Sequence, residues 1–167
     1  CVLKPAEDTP LSALYLCHVI QELELLPNGV LNVVTGLGET AGAAVSQNPK
    51  FRRMSFTGSP EVGRMVAEAA GRNLIPVKCE LGGKGAAVIF NDVDVQETAE
   101  KLVQAITFHS GQVCCDATRW LIQRDIYDDL VDECITRMKS VQIGYQMDGS
   151  SQMGPLVNSK QRSRVLS

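Results

Sequence analysis

Two short stretches hold side chains suited to covalent thiol chemistry. Gly111-Gln112-Val113-Cys114-Cys115 offers a cysteine nucleophile on a tight, glycine-led turn. Cys79-Glu80-Leu81-Gly82-Gly83-Lys84 offers a carboxylate at the end of an apolar run, with two glycines behind it. A thiol that attacks an electrophilic carbon and a separate carboxylate that moves protons form a nucleophile and general-base pair. Backbone N–H groups presented by such a turn lower a thiol's pKa and hold a developing oxyanion. Two other readings of the vicinal cysteines stay open at this point: small buried apolar residues, or a vicinal disulfide. Glu80 likewise has two readings, a salt-bridged surface carboxylate or a group on a cleft wall at a strand's end.

Three further stretches suit ligand binding. Phe56-Thr57-Gly58-Ser59 reads as a strand, a glycine turn and a capped helix start, a geometry that holds phosphate through exposed amides and the helix dipole. An ordinary strand–helix turn has the same pattern. Lys4 and Glu7 flank Pro5 at the C-terminal end of a strand, where a carboxylate can accept both hydroxyls of a ribose; solvated surface charge is the alternative. Gly36-x-Gly38-x3-Gly42 misses the dinucleotide-binding glycine spacing by one residue and is set aside. His109, just before the cysteine turn, is assigned a capping or packing role instead of that of a base.

The elements that carry these residues alternate. A strand remnant at Cys1–Leu3 leads to a helix with Thr9 as cap and Pro10 as first residue. That helix is apolar over much of its surface, predicted to be buried, and ended by Pro27-Asn28-Gly29. Strands follow at 30–34, 54–57, 75–81, 86–90 and 120–123. Ser59 and Asp94 are predicted caps, the second for a helix with Val95, Ala99, Leu102 and Ile106 on one face. Ile126, Leu130, Cys134 and Met138 mark the next helix, and 144–154 is a polar loop. Strand–helix alternation argues for a parallel sheet wound with helices, with a seam near Gly82-Gly83.

Composition sets outer limits. The 167 residues are 44% hydrophobic and 21% charged, with a net charge of −3 and no basic cluster. Nothing in that invites nucleic acid or an anionic membrane surface. No apolar run approaches the roughly 20 residues that cross a bilayer. Six irregularly spaced cysteines and two histidines fit neither a disulfide framework nor a metal site, and read as free thiols in the cytoplasm or another reducing compartment. The chain opens inside a strand pattern and closes inside a helix pattern, which leads us to expect an internal segment of a longer polypeptide.

Lys4-Pro5-Ala6-Glu7, Phe56-Thr57-Gly58-Ser59 with Glu61-Val62-Gly63, Glu80-Leu81-Gly82-Gly83-Lys84, Gly111-Gln112-Val113-Cys114 and Gly154-Pro155-Leu156 occur in an order and spacing that resemble the aldehyde dehydrogenase superfamily along the whole chain. The resemblance implies an α/β fold in which residues 1–81 are the later part of a Rossmann-like NAD-binding domain and residues 82–167 the first part of an α/β catalytic domain, both incomplete. It implies Cys114, not Cys115, as nucleophile and Glu80 as general base. It also implies Lys4 and Glu7 at the adenosine ribose, Ser59 at the pyrophosphate with Gly58 giving room, and Leu81 and Gly82 as further cofactor contacts, with no metal. The implied reaction is NAD(P)-dependent oxidation of an aldehyde to a carboxylic acid through a cysteine thiohemiacetal and thioester. A small-molecule aldehyde would be the partner, and the full-length enzyme would be a homo-oligomer. NAD is preferred to NADP because Glu7 would repel a 2′-phosphate. The sequence departs from the family pattern at His109, at Gly85-Ala86 and at Asp116-Ala117-Thr118. A non-catalytic nucleotide-binding or structural fragment is the alternative, and a thiol redox sensor a third.

Overall fold

Two parallel strands cannot be joined by a tight turn, so each parallel pair in this chain is closed by a helix. The computed structural model describes residues 1–167. β1 (Val2–Leu3) pairs with β2 (Asn32–Val33), with α1 (Leu11–Glu22) between them in sequence. A π-helical turn over Gly38–Gly42 runs into the short α2 (Ala43–Gln47). β3 (Met54–Gly58) pairs with β4 (Val77–Leu81) around α3 (Pro60–Arg72), and β5 (Ala86–Ile89) with β6 (Arg119–Ile122) around α4 (Val95–Thr107). A 3-10 turn at Arg124–Ile126 leads to α5 (Tyr127–Ser140), and α6 (Ser159–Leu166) closes the chain. The chain divides into two compact units, Cys1–Leu81 and Gly82–Ser167.

In the first unit the core is small: Met54, Ala70 and Ile75, with Phe51 and Val77 packed against them. α3 starts where its sequence requires. Ser59 is extended and its Oγ accepts a hydrogen bond from the Val62 N–H at 3.3 Å, while Pro60 takes the first helical position. The buried side of α3 is carried by Gly63 and Ala70, two turns apart, while Val62 and Met65 are exposed. Close approach to β4 needs small residues: a Cβ on Gly63 would lie 2.7 Å from Leu81 Cδ2.

The ends of both long helices in this unit differ from the sequence reading of α1. α1 stops at Glu22, well before Pro27-Asn28-Gly29. Glu24 turns left-handed (φ 49°), its N–H bonds Gln21 O at 3.2 Å, and the Leu25 N–H bonds Ile20 O at 3.0 Å. This pair of reversed bonds is a Schellman ending. α3 ends the same way: Leu74 has φ 53°, with Leu74 N–H to Gly71 O (3.1 Å) and Ile75 N–H to Ala70 O (3.0 Å). Neither ending uses glycine, so neither was signalled. Thr9 makes no side-chain cap, because Pro10 occupies the cap position with near-helical backbone angles. The expected burial of α1 is also not found: none of its residues is buried, and Leu11, Tyr15 and Leu16 stand exposed.

The second unit has the larger core, built from Ile89, Ala99, Val103, Leu130 and Cys134 with Trp120 and Ile122 packed on it. Asp94 caps α4, its Oδ1 accepting from the Glu97 N–H at 2.8 Å. α4 turns Ala99 and Val103 inward, so the buried stripe sits slightly aside from the predicted Val95–Ala99–Leu102–Ile106 face, with Val95 and Leu102 at its edge. α5 meets α4 through Leu130 and Cys134, as their spacing predicts, while Met138 lies outside. Burial pushes the Cys134 thiol up, Glu133 adds to that, and Arg137 opposes it.

Leu130 is fully enclosed. Leu130→Ala is therefore expected to cost about 2–5 kcal/mol. Leu74→Gly, which relieves a left-handed side chain, is expected to cost nothing and to add up to about 1 kcal/mol. Urea unfolding followed by circular dichroism reads both; a Leu74→Gly loss above about 1 kcal/mol would contradict the assignment of strain.

Candidate active site

The parallel register of β3 and β4 brings two distant motifs together. Thr57 stands opposite Glu80 and Gly58 opposite Leu81, at the C-terminal ends of both strands. Open α/β sheets bind ligands at such ends. Ser59 follows directly as the cap of α3, so its hydroxyl and the first amides of the helix lie at the same end. Gly58 leaves no space for a side chain, since a Cβ there would lie 2.6 Å from the Phe56 ring, whereas Gly82 and Gly83 face open space. Leu81 spends its side chain on packing against Gly63, which leaves only its backbone to meet a ligand. Glu80 is exposed and paired with Lys78, Nζ to Oε1 at 3.0 Å. Residues two apart on a strand share a face, which is why this pair forms. An exposed pair of this kind is worth about 0–1 kcal/mol and opens easily.

At the ends of β1 and β2 a second cluster gathers around Lys4. Its ammonium donates to Pro5 O (2.8 Å) and Gly36 O (3.0 Å) and pairs with Glu7 at 3.5 Å. The Lys4 stem lies beside Gly42, its Cε 3.6 Å from where a Cβ would stand, an ordinary contact distance. Glu7 titrates below the usual glutamate range. Its own backbone N–H is the largest cause; Lys4 and the Gly38 N–H add to it, against a desolvation penalty. The Gly36–Gly42 loop set aside on spacing therefore belongs to this cluster. Its glycines fold the backbone around a lysine.

The cysteine turn is built by backbone strain. α4 passes into a 3-10 turn over Phe108–Gly111, and His109 (φ 50°), Ser110 (φ 58°) and Gly111 (φ 70°) are all left-handed. Only glycine adopts this region freely. Side chains hold the run: Ser110 Oγ donates to Gly154 O (2.9 Å), Gln112 Nε2 donates to His109 O (3.2 Å), and Gln112 Oε1 accepts from the Val157 N–H (3.1 Å). Beyond it Cys114 and Cys115 are both exposed free thiols, so neither the buried nor the disulfide reading describes them. His109 packs its ring on Phe108 at 6.2 Å and offers its carbonyl to Gln112, in keeping with a packing role.

The turn then closes on β5. The Asp116 N–H bonds Val113 O (3.3 Å), and Asp116 O would lie 3.2 Å from a Cβ on Gly85, so glycine at 85 permits the approach. Asp116 Oδ2 is buried without a hydrogen-bond partner. Trp120 Nε1 donates to Ala117 O at 2.8 Å and Arg119 Nε to Lys84 O at 2.9 Å. No group of three or more His, Cys, Asp or Glu side chains suits a metal ion, and no helix is long and apolar enough to cross a membrane.

The model of the aldehyde dehydrogenase family matches residues 1–167. The chain is 42% identical to cytosolic aldehyde dehydrogenase 1 of Rattus norvegicus, over 99% of this chain and 33% of that protein. It is 45% identical to phenylacetaldehyde dehydrogenase of Pseudomonas fluorescens, again over 99% and 33%. The crystal structure of PnpE in complex with nicotinamide adenine dinucleotide superposes with a TM-score of 0.93 at 39% identity, covering 99% of this chain and 34% of that one. The chain thus spans about a third of the length of the relatives it matches. Its fold is the α/β, Rossmann-like one of those structures.

Glu7 supplies a pH test of the Lys4 cluster. Because its pKa is depressed in the fold, the stability it contributes is present at neutral pH and is lost as pH falls below the ordinary glutamate range through its own lower value. Carbon-detected NMR should find the Glu7 carboxyl titrating low, and Lys4→Met should move it up without restoring the ordinary value, since its own N–H remains. An unshifted Glu7 titration would contradict the cluster.

Proposed function

Because this chain belongs to the aldehyde dehydrogenase family, we propose that it carries the nucleophile, the general base and part of the cofactor surface of an NAD(P)-dependent aldehyde dehydrogenase. Residues 1–81 serve as the later part of the cofactor-binding domain and residues 82–167 as the first part of the catalytic domain. The observation that carries this reading is Cys114, an exposed free thiol on a turn held by three successive left-handed residues. Buried structural cysteines such as Cys134 have no such setting.

The residues of the first unit fit a dinucleotide. Glu7, ionised and half-exposed, accepts the hydroxyls of the adenosine ribose, while Lys4, anchored on Gly36 O, fixes its position. A carboxylate there repels a 2′-phosphate and favours NAD. Ser59 has accepted from Val62 and keeps its hydroxyl proton for a pyrophosphate oxygen; the α3 amides and dipole add to that attraction. Gly58, Gly82 and the Leu81 backbone let the cofactor come close.

NAD, when bound, takes a hydride from the reacting carbon. Cys114 as thiolate adds to the aldehyde carbonyl carbon, and N–H groups of its turn steady the resulting oxyanion. After oxidation the Cys114 sulfur holds the acyl group as a thioester. Glu80 swings from Lys78 and takes a proton from water, whose oxygen adds to the thioester carbon. The carbon–sulfur bond then breaks, releasing the carboxylic acid and restoring the thiolate. Covalent capture divides one difficult oxidation into two easier steps.

In the whole protein, Cys114→Ala should abolish aldehyde oxidation while NAD binding, read by calorimetry, stays within about twofold, because the thiol acts on the transition state and not on cofactor affinity. Turnover at the parent rate would end the nucleophile assignment. Glu80→Gln should keep a pre-steady-state burst of NADH and lose the steady rate. Loss of burst and steady rate in equal measure would give Glu80 another role.

A further inference from the structure

We propose that Ser110 and Gln112 are positioning residues that clamp the Cys114 turn onto the Gly154–Val157 segment, so that the presentation of the thiol depends on that distant stretch. The proposal rests on Cys114 being the nucleophile. His109 and Ser110 both carry side chains on a left-handed backbone, which is sterically unfavourable, so something must hold them there. Ser110 answers with its own hydroxyl, bonded to Gly154 O at 2.9 Å. Gln112 uses both ends of its amide, the oxygen toward the Val157 N–H and the nitrogen toward His109 O. The opposite amide orientation would set NH2 against N–H and oxygen against oxygen, so the bonding partners fix it.

The receiving segment is itself fixed at both ends. Gly144 N–H bonds Met153 O at 3.0 Å just before it, and Asn158, next after Val157, caps α6 through the Gln161 N–H at 2.8 Å. A well-held strap therefore supports the turn from outside. Neither Ser110 nor Gln112 belongs to the core around Leu130, so their loss acts on the turn and leaves the unit's core intact.

The test uses the whole protein and the variants Gln112→Ala, Gln112→Glu and Ser110→Ala. Gln112→Ala should lower kcat for aldehyde oxidation about 10- to 100-fold with both KM values within about threefold, as misplacement of a reacting group does. Gln112→Glu keeps the acceptor for Val157 and should recover part of the loss. Iodoacetamide labelling of Cys114, read by mass spectrometry, should slow at least about fivefold in Gln112→Ala and Ser110→Ala, while Cys134 stays protected. Unchanged Cys114 labelling overturns the proposal. Opening of Cys134 in parallel with any change at Cys114 overturns it too, since the pair would then be supporting the core. Gln112→Glu no better than Gln112→Ala overturns the tether to Val157. Labelling needs no turnover, so it stands apart from the outcome of Cys114→Ala on aldehyde oxidation.

Discussion

The parallel ladder between β3 and β4 runs from Met54 opposite Val77 to Gly58 opposite Leu81, and the first unit hangs on that register. A slip of one residue would turn every side chain of β4 to the other face. Glu80 would leave the exposed side it shares with Lys78, and Leu81 would leave its seat on Gly63. The glycine at 63 matters for the same reason. It lets α3 lie close enough to β4 for Cys79 Sγ to approach Gly63 O at 4.0 Å, which aims the capped start of the helix along the strand ends. Helix placement and carboxylate exposure are thus consequences of one pairing.

In the second unit the comparable constraint is close backbone approach. Gly85 admits the Asp116 carbonyl, Arg119 reaches back to Lys84 O, and β6 is then paired with β5 from its first residue. This leaves a fixed span between the end of α4 and the start of β6. The chain crosses it with a left-handed run, a sharp reversal that extended residues cannot make. The buried Oδ2 of Asp116 lies on this same stretch.

Where a local signal decides the outcome, the sequence was enough. Ser59-Pro60 and Asp94 cap helices because a hydroxyl or carboxylate one step before an apolar pattern has few other uses. The strands and the glycine-led cysteine turn were legible for similar reasons. Helix ends set by Leu74 and Glu24 were not, since neither left-handed residue is a glycine; only at Leu74 does the following residue, Ile75, pack into the core. The exposure of α1 was hidden because an apolar composition says that a face wants cover, not that this chain supplies it. Spacing set Gly36–Gly42 aside as a dinucleotide motif but could not show that Gly36 O receives the Lys4 ammonium. Pairing of Glu80 with Lys78 follows from strand geometry, which sets residues two apart on one face.

Trp120 is the one tryptophan in the chain. Its indole N–H is tied to Ala117 O, on the stretch that follows the vicinal thiols, and its ring packs on the core of the second unit. Intrinsic tryptophan emission is therefore a built-in optical reporter of the turn's immediate surroundings. Tyr15 is the only tyrosine or tryptophan in the first 81 residues, whereas Tyr127 and Tyr145 share the second unit with Trp120, so excitation at the red edge of indole absorption watches the second unit alone.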